Sequence, residues 1–270
     1  EDNGSLYHKI LLEKKNQDDS ELNQSLILDP IDKIFLLSIF FEKDNKILLP
    51  LIEYFRDKKD KVSRSAGMIH VTESIFIPEA ENLAEKTDDE KLREKIESNI
   101  DDWKYYKEMR KDEPEKWKVE GYPFYRHNGN PRLEWLVDLG ILEKTSSNFN
   151  AGPKISEIHD ALLETSETEP FFEIAKAYLP SLIPASDEEI EDQILKSYKK
   201  FLDFDYITIH KNLLFPLVSF ELLKGNKNTK LSDIEDGLAK LTKKYPNTVK
   251  FVADNYGEKN YVLIKLSEIR

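Results

Sequence analysis

The chain has 270 residues, a net charge of −12 at neutral pH, 39% hydrophobic residues and 34% charged residues. Plentiful branched and aromatic side chains make this a globular composition rather than a disordered one, and the absence of cysteine excludes disulfides, thiolate metal sites and cysteine nucleophiles. No apolar run approaches the roughly 18 residues that cross a bilayer, so we expect a cytoplasmic protein without a membrane partner.

Two consecutive apolar helices are predicted near the start of the chain. An aspartate and a proline at 29–30 supply a helix cap and a first-turn proline. Apolar residues then predict a buried helix over 31–41, a break at 44–45 and a second helix over 47–55. Two such helices with a short link are typical of the first half of a helix-turn-helix core.

A charged segment over 56–126 follows these helices. Its pattern predicts a strand within 69–77, a helix over 78–86, and a longer helix that begins at a capping box in 87–90 and runs to about residue 111. Apolar side chains spaced by three or four residues form one stripe along the longer helix: Leu92, Ile96, Ile100, Trp103 and Tyr106. We interpret the segment as a helical insertion whose stripe packs against the core or against a partner, with Trp103 and Tyr106 as candidate partner-binding residues; a solvated surface helix is the alternative.

The strongest local pattern lies at 130–144. Asn130 suits an N-cap, Pro131 suits the first helical position, and Gly140 suits a helix stop. Between them, apolar residues recur at intervals of three: Leu133, Leu136 and Leu139. A short strand start and a polar loop follow over 141–152. A short core helix in an unrelated fold would give the same pattern.

The second half of the chain predicts more capped helices and a final pair of strands. We expect helices over 155–163, 171–179, 186–202 and 213–223, of which the third begins with a capping box and the last is apolar. A linker is expected over 165–170 and a short strand over 206–209. A third capping box at 232–235 begins a helix that ends before Pro246, and alternating residues predict two strands over 249–253 and 261–266.

Catalytic signatures are absent from this sequence. The five histidines show no metal-ligand spacing: His8, His70, His127, His159 and His210. Glycine-rich phosphate loops and the nucleophile elbow are also missing. The segment Glu13–Lys15 resembles half of a restriction-type nuclease motif but lacks an evident acidic partner. We therefore expect no cofactor, no metal and no enzymatic activity, with a metal-dependent nuclease as a distant alternative.

The charge is distributed unevenly along the chain. Residues 196–270 hold 14 basic and 9 acidic residues, whereas residues 1–195 carry a net charge of −17. A basic region attracts a phosphate backbone and an acidic one repels it, so the C-terminal part is the better candidate for nucleic-acid contact. Lysine (33 residues) far outnumbers arginine (7 residues), which is typical of an AT-rich prokaryotic genome.

The segment 131–144 resembles the third helix and following strand of prokaryotic winged-helix proteins, which include transcription regulators and subunits of antiphage and restriction systems. The segment 230–266 resembles a second such unit. The resemblance implies a mainly α fold with small β-hairpins (α+β) and two winged-helix-like domains. These are 1–165, interrupted by the insertion at about 56–126, and 166–270.

Winged-helix regulators place the third helix in a major groove and touch the DNA backbone with the hairpin, or wing. The resemblance therefore puts Arg132 and Glu134 on the groove side, although Glu134 and Asp138 would face phosphates. Cations and amides near both third helices are the candidate nucleic-acid contacts: Arg126, Asn128, Asn130, Arg132, Lys144, Lys227, Lys230, Lys240, Lys243, Lys244, Lys250 and Lys259.

Two functions follow from this pattern. The first is a non-catalytic accessory or regulatory protein that binds double-stranded DNA or another nucleic acid, as a subunit of a defence or DNA-processing complex. The second is an acidic scaffold that uses the same fold to hold a protein partner or a second copy of itself. Binding that weakens steeply with salt would favour the first.

Overall fold

The computed structural model describes residues 28–58, 60–164, 170–202, 208–253 and 256–269. The chain divides into two compact units. The N-terminal unit is Leu36–Glu164, and the C-terminal unit combines Thr165–Arg270 with the segment that ends at Phe35. Helices dominate both units, and the sheets have two or three short strands, which confirms the predicted α+β class. Predictions for residues 1–27 and for the linker at 165–169 lie outside the described residues.

The first helix, α1 (Pro30–Asp57), joins the two helices that the sequence predicts. The predicted break is a kink at Asp44, which has φ −139° and ψ 25°. The predicted cap is confirmed, because Asp29 Oδ1 accepts a hydrogen bond from the Asp32 N–H at 2.8 Å. Pro50 lies inside the helix rather than near a new start.

The N-terminal unit continues with short strands and five further numbered helices. In chain order these are β1 (Val62–Ser63), α2 (Arg64–His70), a π-helical segment (Val71–Phe76), α3 (Ile77–Lys86), α4 (Glu90–Asp112), α5 (Pro114–Asp138), β2 (Leu142–Thr145), β3 (Asn148–Ala151) and α6 (Ile155–Glu164). The predicted strand within 69–77 is wrong, because these residues continue the helix that α2 begins. The N-cap of α4 is Asp89 rather than Thr87, since Asp89 accepts a hydrogen bond from the Leu92 N–H at 3.2 Å.

Helix α5 begins 17 residues earlier than the sequence motif predicts, at Pro114 instead of Pro131. Asn130 is therefore an interior residue and does not cap the helix. Packing overrides the local signals: Tyr125, Leu133 and Leu136 are fully buried along one side of α5. The predicted stop is confirmed, because Gly140 follows the helix with φ +73°, a conformation that favours glycine.

β2 and β3 follow α5 and pair with the earlier strand β1 in a three-stranded antiparallel sheet with the order β1–β3–β2. The predicted polar loop at 145–152 is largely strand β3, because Phe149 at its centre is fully buried. Ser146, with φ +59°, lies in the tight connection between β2 and β3. The order of the strands leaves β2 at an edge of the sheet, where Glu143 and Lys144 are exposed.

The C-terminal unit contains α7 (Pro170–Tyr178), β4 (Ile183–Pro184), α8 (Asp187–Leu202), β5 (Ile209–His210), α9 (Lys211–Lys224), β6 (Lys227–Asn228), α10 (Leu231–Lys244), β7 (Val249–Val252), β8 (Tyr261–Ile264) and a 3₁₀ turn (Leu266–Glu268). The capping box at the start of α8 is confirmed, because Ser186 and Glu189 exchange both hydrogen bonds. The box predicted at 232–235 is displaced: α10 begins after Lys230, whose N–H donates to Asp233 at 3.2 Å.

The predicted final pair of strands is confirmed. β7 and β8 pair antiparallel, and β5 pairs with the far side of β8, so the sheet order is β5–β8–β7. β4 and β6 form a separate parallel pair. Helices α8, α9 and α10 pack together over the sheet with a common apolar core that includes Ile194, Tyr198, Val218, Leu238, Val249 and Val262.

Candidate nucleic-acid interface

Arg132, the central candidate on α5, is held inside the N-terminal unit. Its Nε donates to Asp44 Oδ2 at 2.7 Å, at the kink of α1. The guanidinium also lies over the ring of Phe76, 4.5 Å from its centroid. The Arg132 and Asp44 side chains are only 20% and 21% exposed. Arg132 therefore fastens α5 to α1 in this structure.

The other candidates before the motif differ in their availability. The side-chain amide of Asn128 donates a hydrogen bond to the main-chain carbonyl of Phe124 at 3.0 Å. The main-chain carbonyl of Asn128 accepts a hydrogen bond from the Arg132 guanidinium at 3.1 Å. Asn130 has a buried Oδ1 for which the described residues provide no hydrogen-bond partner. Arg126 is exposed and forms no ion pair within the described part of the chain, so it is the free cation of this group.

Glu134, which the winged-helix resemblance of the sequence would place on the groove side, lies between two cations. It accepts from Lys144 Nζ at 2.7 Å and from the Arg64 guanidinium at 3.0 Å. The predicted contact Lys144 is therefore engaged with a carboxylate. The role of Arg64 was missed from the sequence, because it lies 70 residues away from Glu134.

The two candidate partner-binding residues lie against α5. Trp103 is buried, and its ring packs against Phe76 and Phe124 at centroid distances of 5.7 and 6.1 Å. Tyr106 is half-buried and lies 5.2 Å from the same Phe124 ring. The stripe on α4 thus packs within the chain. Its first member, Leu92, is 47% exposed.

A polar cluster that the sequence analysis missed lies beside these aromatic residues. Arg110 donates two hydrogen bonds to the Glu73 carboxylate at 2.8 and 2.9 Å, and the Tyr125 hydroxyl donates to Glu73 at 3.0 Å. Burial and the neighbouring Glu73 carboxylate raise the pKa of Tyr125 above its ordinary value. Tyr125 therefore stays protonated as a donor, and the cluster joins the π-helical segment to α4 and α5.

Four of the predicted lysines in the C-terminal unit have partners within the chain. Lys227 pairs with Glu189 at 2.9 Å, Lys240 pairs with Asp187, and Lys244 lies 3.9 Å from a carboxylate oxygen of Glu191. Lys230 lies 5.4 Å from the centroid of the Phe172 ring. The hydrogen bond from the Ser186 N–H and the Lys227 ammonium lower the pKa of Glu189, so the carboxylate that faces Lys227 is negatively charged.

Three predicted lysines of the C-terminal unit have no ion-pair partner among the described residues, and we call them the uncommitted lysines. Lys243 lies in the last turn of α10, Lys250 on β7, and Lys259 just before β8, and each is exposed. Over the ranges that the structure describes, none of the three forms an ion pair. Along the chain, these lysines lie at the end of α10 and at the two strands of the β7–β8 hairpin. They can bind a polyanion without breaking an ion pair within the described residues.

The first half of α10 has the opposite charge. Asp233, Glu235 and Asp236 are exposed there. Counting only ion pairs between described residues, Glu235 alone of the three pairs with a lysine, Lys211, at 2.9 Å. Phosphate groups would be repelled at this end of α10 and attracted at its other end.

Comparisons with protein-family models, with curated proteins and with solved structures gave no match to this chain. Within the described ranges, none of the helices has the length and apolarity that crossing a bilayer requires. The same ranges contain no group of three His, Asp or Glu side chains arranged to hold a metal ion. The segment Glu13–Lys15, which the sequence relates to half of a nuclease motif, lies outside the described residues.

Proposed function

We propose that both units are winged-helix domains. Support comes from their shared order of elements: helix, short strand, helix, helix and two paired strands. In each unit the first short strand pairs with the last, giving the orders β1–β3–β2 and β5–β8–β7. In the N-terminal unit the corresponding elements are α1, β1, α2, α5, β2 and β3, with the π-helical segment, α3 and α4 inserted before α5. In the C-terminal unit they are α8, β5, α9, α10, β7 and β8.

We propose further that the protein is a non-catalytic nucleic-acid-binding accessory or regulatory protein, and that its C-terminal unit makes the contact. The observation that carries this proposal is the set of three uncommitted lysines Lys243, Lys250 and Lys259 around the hairpin. In the N-terminal unit, by contrast, the candidates Arg132 and Lys144 form ion pairs with carboxylates of the same unit.

A salt titration of the full chain with a labelled 20-base-pair duplex tests this function. If the three lysines neutralise three phosphates, the logarithm of the affinity should fall with a slope of about −2.7 against the logarithm of the salt concentration. That slope corresponds to a loss of about 40-fold between roughly 50 and 200 mM salt. No binding at the lower concentration would refute the proposal.

Charge reversal identifies the surface. The triple variant K243E/K250E/K259E should lose most of the affinity and most of its salt dependence. The matched control K61E/K91E/K95E changes the same total charge at exposed lysines of the N-terminal unit and should bind nearly as the wild type does. An equal loss in both variants would show that net charge, rather than this surface, governs binding.

An interaction scaffold remains the second candidate, because helices α3 to α5 expose large apolar side chains: Leu83, Leu92, Tyr105 and Val119. Val119 is 75% exposed. If these side chains mediate self-association, light scattering should show an oligomer that V119D dissociates. A monomer at all concentrations with normal nucleic-acid binding would remove the support for a homodimer.

A further inference from the structure

Three lysines share one side of the last turns of α10. Lys243 and Lys244 follow Lys240 by three and four residues, and side chains with these spacings are neighbours on a helix surface. All three are exposed. Strand β7 begins next to them, because the Val249 N–H donates a hydrogen bond to the Tyr245 carbonyl at 2.9 Å. Lys240 and Lys244 therefore belong to the same surface as the uncommitted Lys243.

Carboxylates of α8 pair with two of these three lysines. Lys240 forms an ion pair with Asp187, and Lys244 lies 3.9 Å from a carboxylate oxygen of Glu191. Asp187 and Glu191 are four residues apart, so they too are neighbours on one helix surface. One side of α8 thus supplies both negative charges that face the basic side of α10.

The close approach of α8 and α10 holds these charges together. A Cβ at Gly237 would lie 2.9 Å from Ile190 Cγ2 and 3.4 Å from Ile194 Cδ1. Because glycine has no side chain, α10 packs directly against these two residues, which belong to the core of the C-terminal unit. The distance between the carboxylates and the lysines is therefore set by packing of the helices, and the side chains alone can change it.

The surroundings of Lys240 are strongly negative. The hydrogen bond with Asp187, together with the nearby charges of Glu191 and Asp236, raises the pKa of Lys240. Lys240 is consequently charged, but three carboxylates oppose its charge. A phosphate group that approaches Lys240 would be repelled by the same carboxylates.

The ion pairs are nevertheless open to solvent. The side chains of Lys240 and Asp187 are 47% and 71% exposed, and that of Lys244 is 62% exposed. Water screens exposed ion pairs, which contribute little to the stability of a protein. Loss of the two carboxylates should therefore free both lysines for another anion and leave the fold intact.

We propose that the ion pairs made by Asp187 and Glu191 are autoinhibitory: they withhold Lys240 and Lys244 from the nucleic-acid-binding surface. The two lysines would otherwise add two phosphate contacts to those of the three uncommitted lysines. This inference rests on the proposed nucleic-acid function of the C-terminal unit and concerns the regulation of that same site.

A salt titration of the full chain with a labelled 20-base-pair duplex compares the wild type with D187N/E191Q. Three phosphate contacts in the wild type predict a slope of about −2.7, and five contacts in the variant predict a slope of about −4.5. At roughly 50 mM salt, the variant should bind about 10-fold more tightly than the wild type.

The matched control is E188Q/D192N, because D187N/E191Q also makes the chain less negative by two charges. Glu188 and Asp192 are exposed residues of the same helix with the same spacing. Each lies one residue further along α8, which turns it to another side of the helix, and Asp192 pairs with Lys196 of α8 itself. The control should raise the affinity by less than about twofold, because salt screens charges that do not face the bound duplex.

A charge-balanced variant assigns the gain to the lysines. D187N/E191Q/K240A/K244A has the net charge of the wild type and lacks both ion pairs, and it should bind with the wild-type affinity and a slope of about −2.7. Melting curves by circular dichroism check that each variant is folded. If D187N/E191Q is unfolded, D187N and E191Q are measured singly, and each should give a slope of about −3.6.

The outcomes separate the inference from the proposed function. If the wild type binds the duplex and D187N/E191Q binds no more tightly than E188Q/D192N, the autoinhibition is overturned and nucleic-acid binding stands. A wild-type slope already near −4.5 has the same meaning, since about five lysines would then contact phosphates despite the carboxylates. If neither the wild type nor D187N/E191Q binds at about 50 mM salt, both the inference and the proposed function are refuted.

Discussion

Arg132 offers a sharp test, because the sequence assigns it to nucleic-acid binding and the structure gives it an internal contact. We expect Arg132→Ala to destabilise the N-terminal unit and to leave nucleic-acid affinity unchanged. The variant removes the 2.7 Å ion pair with Asp44, the 3.1 Å hydrogen bond to the Asn128 carbonyl and the stacking over Phe76.

The magnitude follows from these contacts. A hydrogen bond to a charged group is worth about 1.5 to 3 kcal/mol, and a partly exposed cation–π contact adds about 0.5 to 1 kcal/mol. Since Arg132 and Asp44 each retain about a fifth of their exposure, solvent screens part of the ion pair. We therefore expect a loss of about 2 kcal/mol, which moves the urea midpoint by about 1 M.

Tryptophan fluorescence during urea unfolding measures this loss in the correct unit. All three tryptophans of the chain, Trp103, Trp117 and Trp135, lie in the N-terminal unit. Arg126→Ala, an exposed position on the same helix, is the matched control and should change stability by less than about 0.5 kcal/mol. An unchanged urea midpoint for Arg132→Ala, or a loss of nucleic-acid binding by the folded variant, would refute the reasoning.

Two further predictions use the same fluorescence signal. Gly129→Ala should destabilise the N-terminal unit by about 1 to 3 kcal/mol despite the higher helix propensity of alanine, because a Cβ there would lie 3.0 Å from the backbone Cα of Met68. Gly67→Ala should cost less, because the contacts of its Cβ are with side chains, the nearest being a Leu133 methyl at 3.1 Å. Burial and the Lys58 ammonium lower the pKa of His70, so protonation favours the unfolded state, and stability should fall as the pH drops below about 6.5. His70→Gln should remove that part of the loss between pH 7.5 and 5.5, and an identical pH dependence in both proteins would contradict the assignment.

Local sequence signals predicted those elements whose ends depend on neighbouring residues. The caps at Asp29 and Ser186, the stop at Gly140 and the β7–β8 pair are all confirmed, because each depends on hydrogen bonds or alternation within a few residues. The start of α5 was wrong for the opposite reason: Asn130 and Pro131 give a good local start, but the burial of residues on both sides of them extends the helix through that point.

The candidate site shows the same limit more strongly. Nothing in the sequence links Asp44 to Arg132, which are 88 residues apart, and nothing marks the two residues of β1 as a strand, since their partner β3 lies more than 80 residues further along. Availability of a cation depends on such distant partners. The sequence therefore identified twelve candidate contacts without distinguishing the paired lysines from Lys243, Lys250 and Lys259.

Among the described strands, β2 and β7 are edge strands of their sheets, and their charges affect how the protein behaves at high concentration. An open strand margin offers unpaired backbone groups to any passing chain and can seed fibrous aggregates, and a lysine there discourages such pairing. Lys250 is the sole charge in the run 249–252, which is otherwise valine and phenylalanine. Lys250, which we propose to contact nucleic acid, therefore also opposes aggregation through β7. An uncharged residue at this position would lower the solubility of the protein as well as its affinity for nucleic acid.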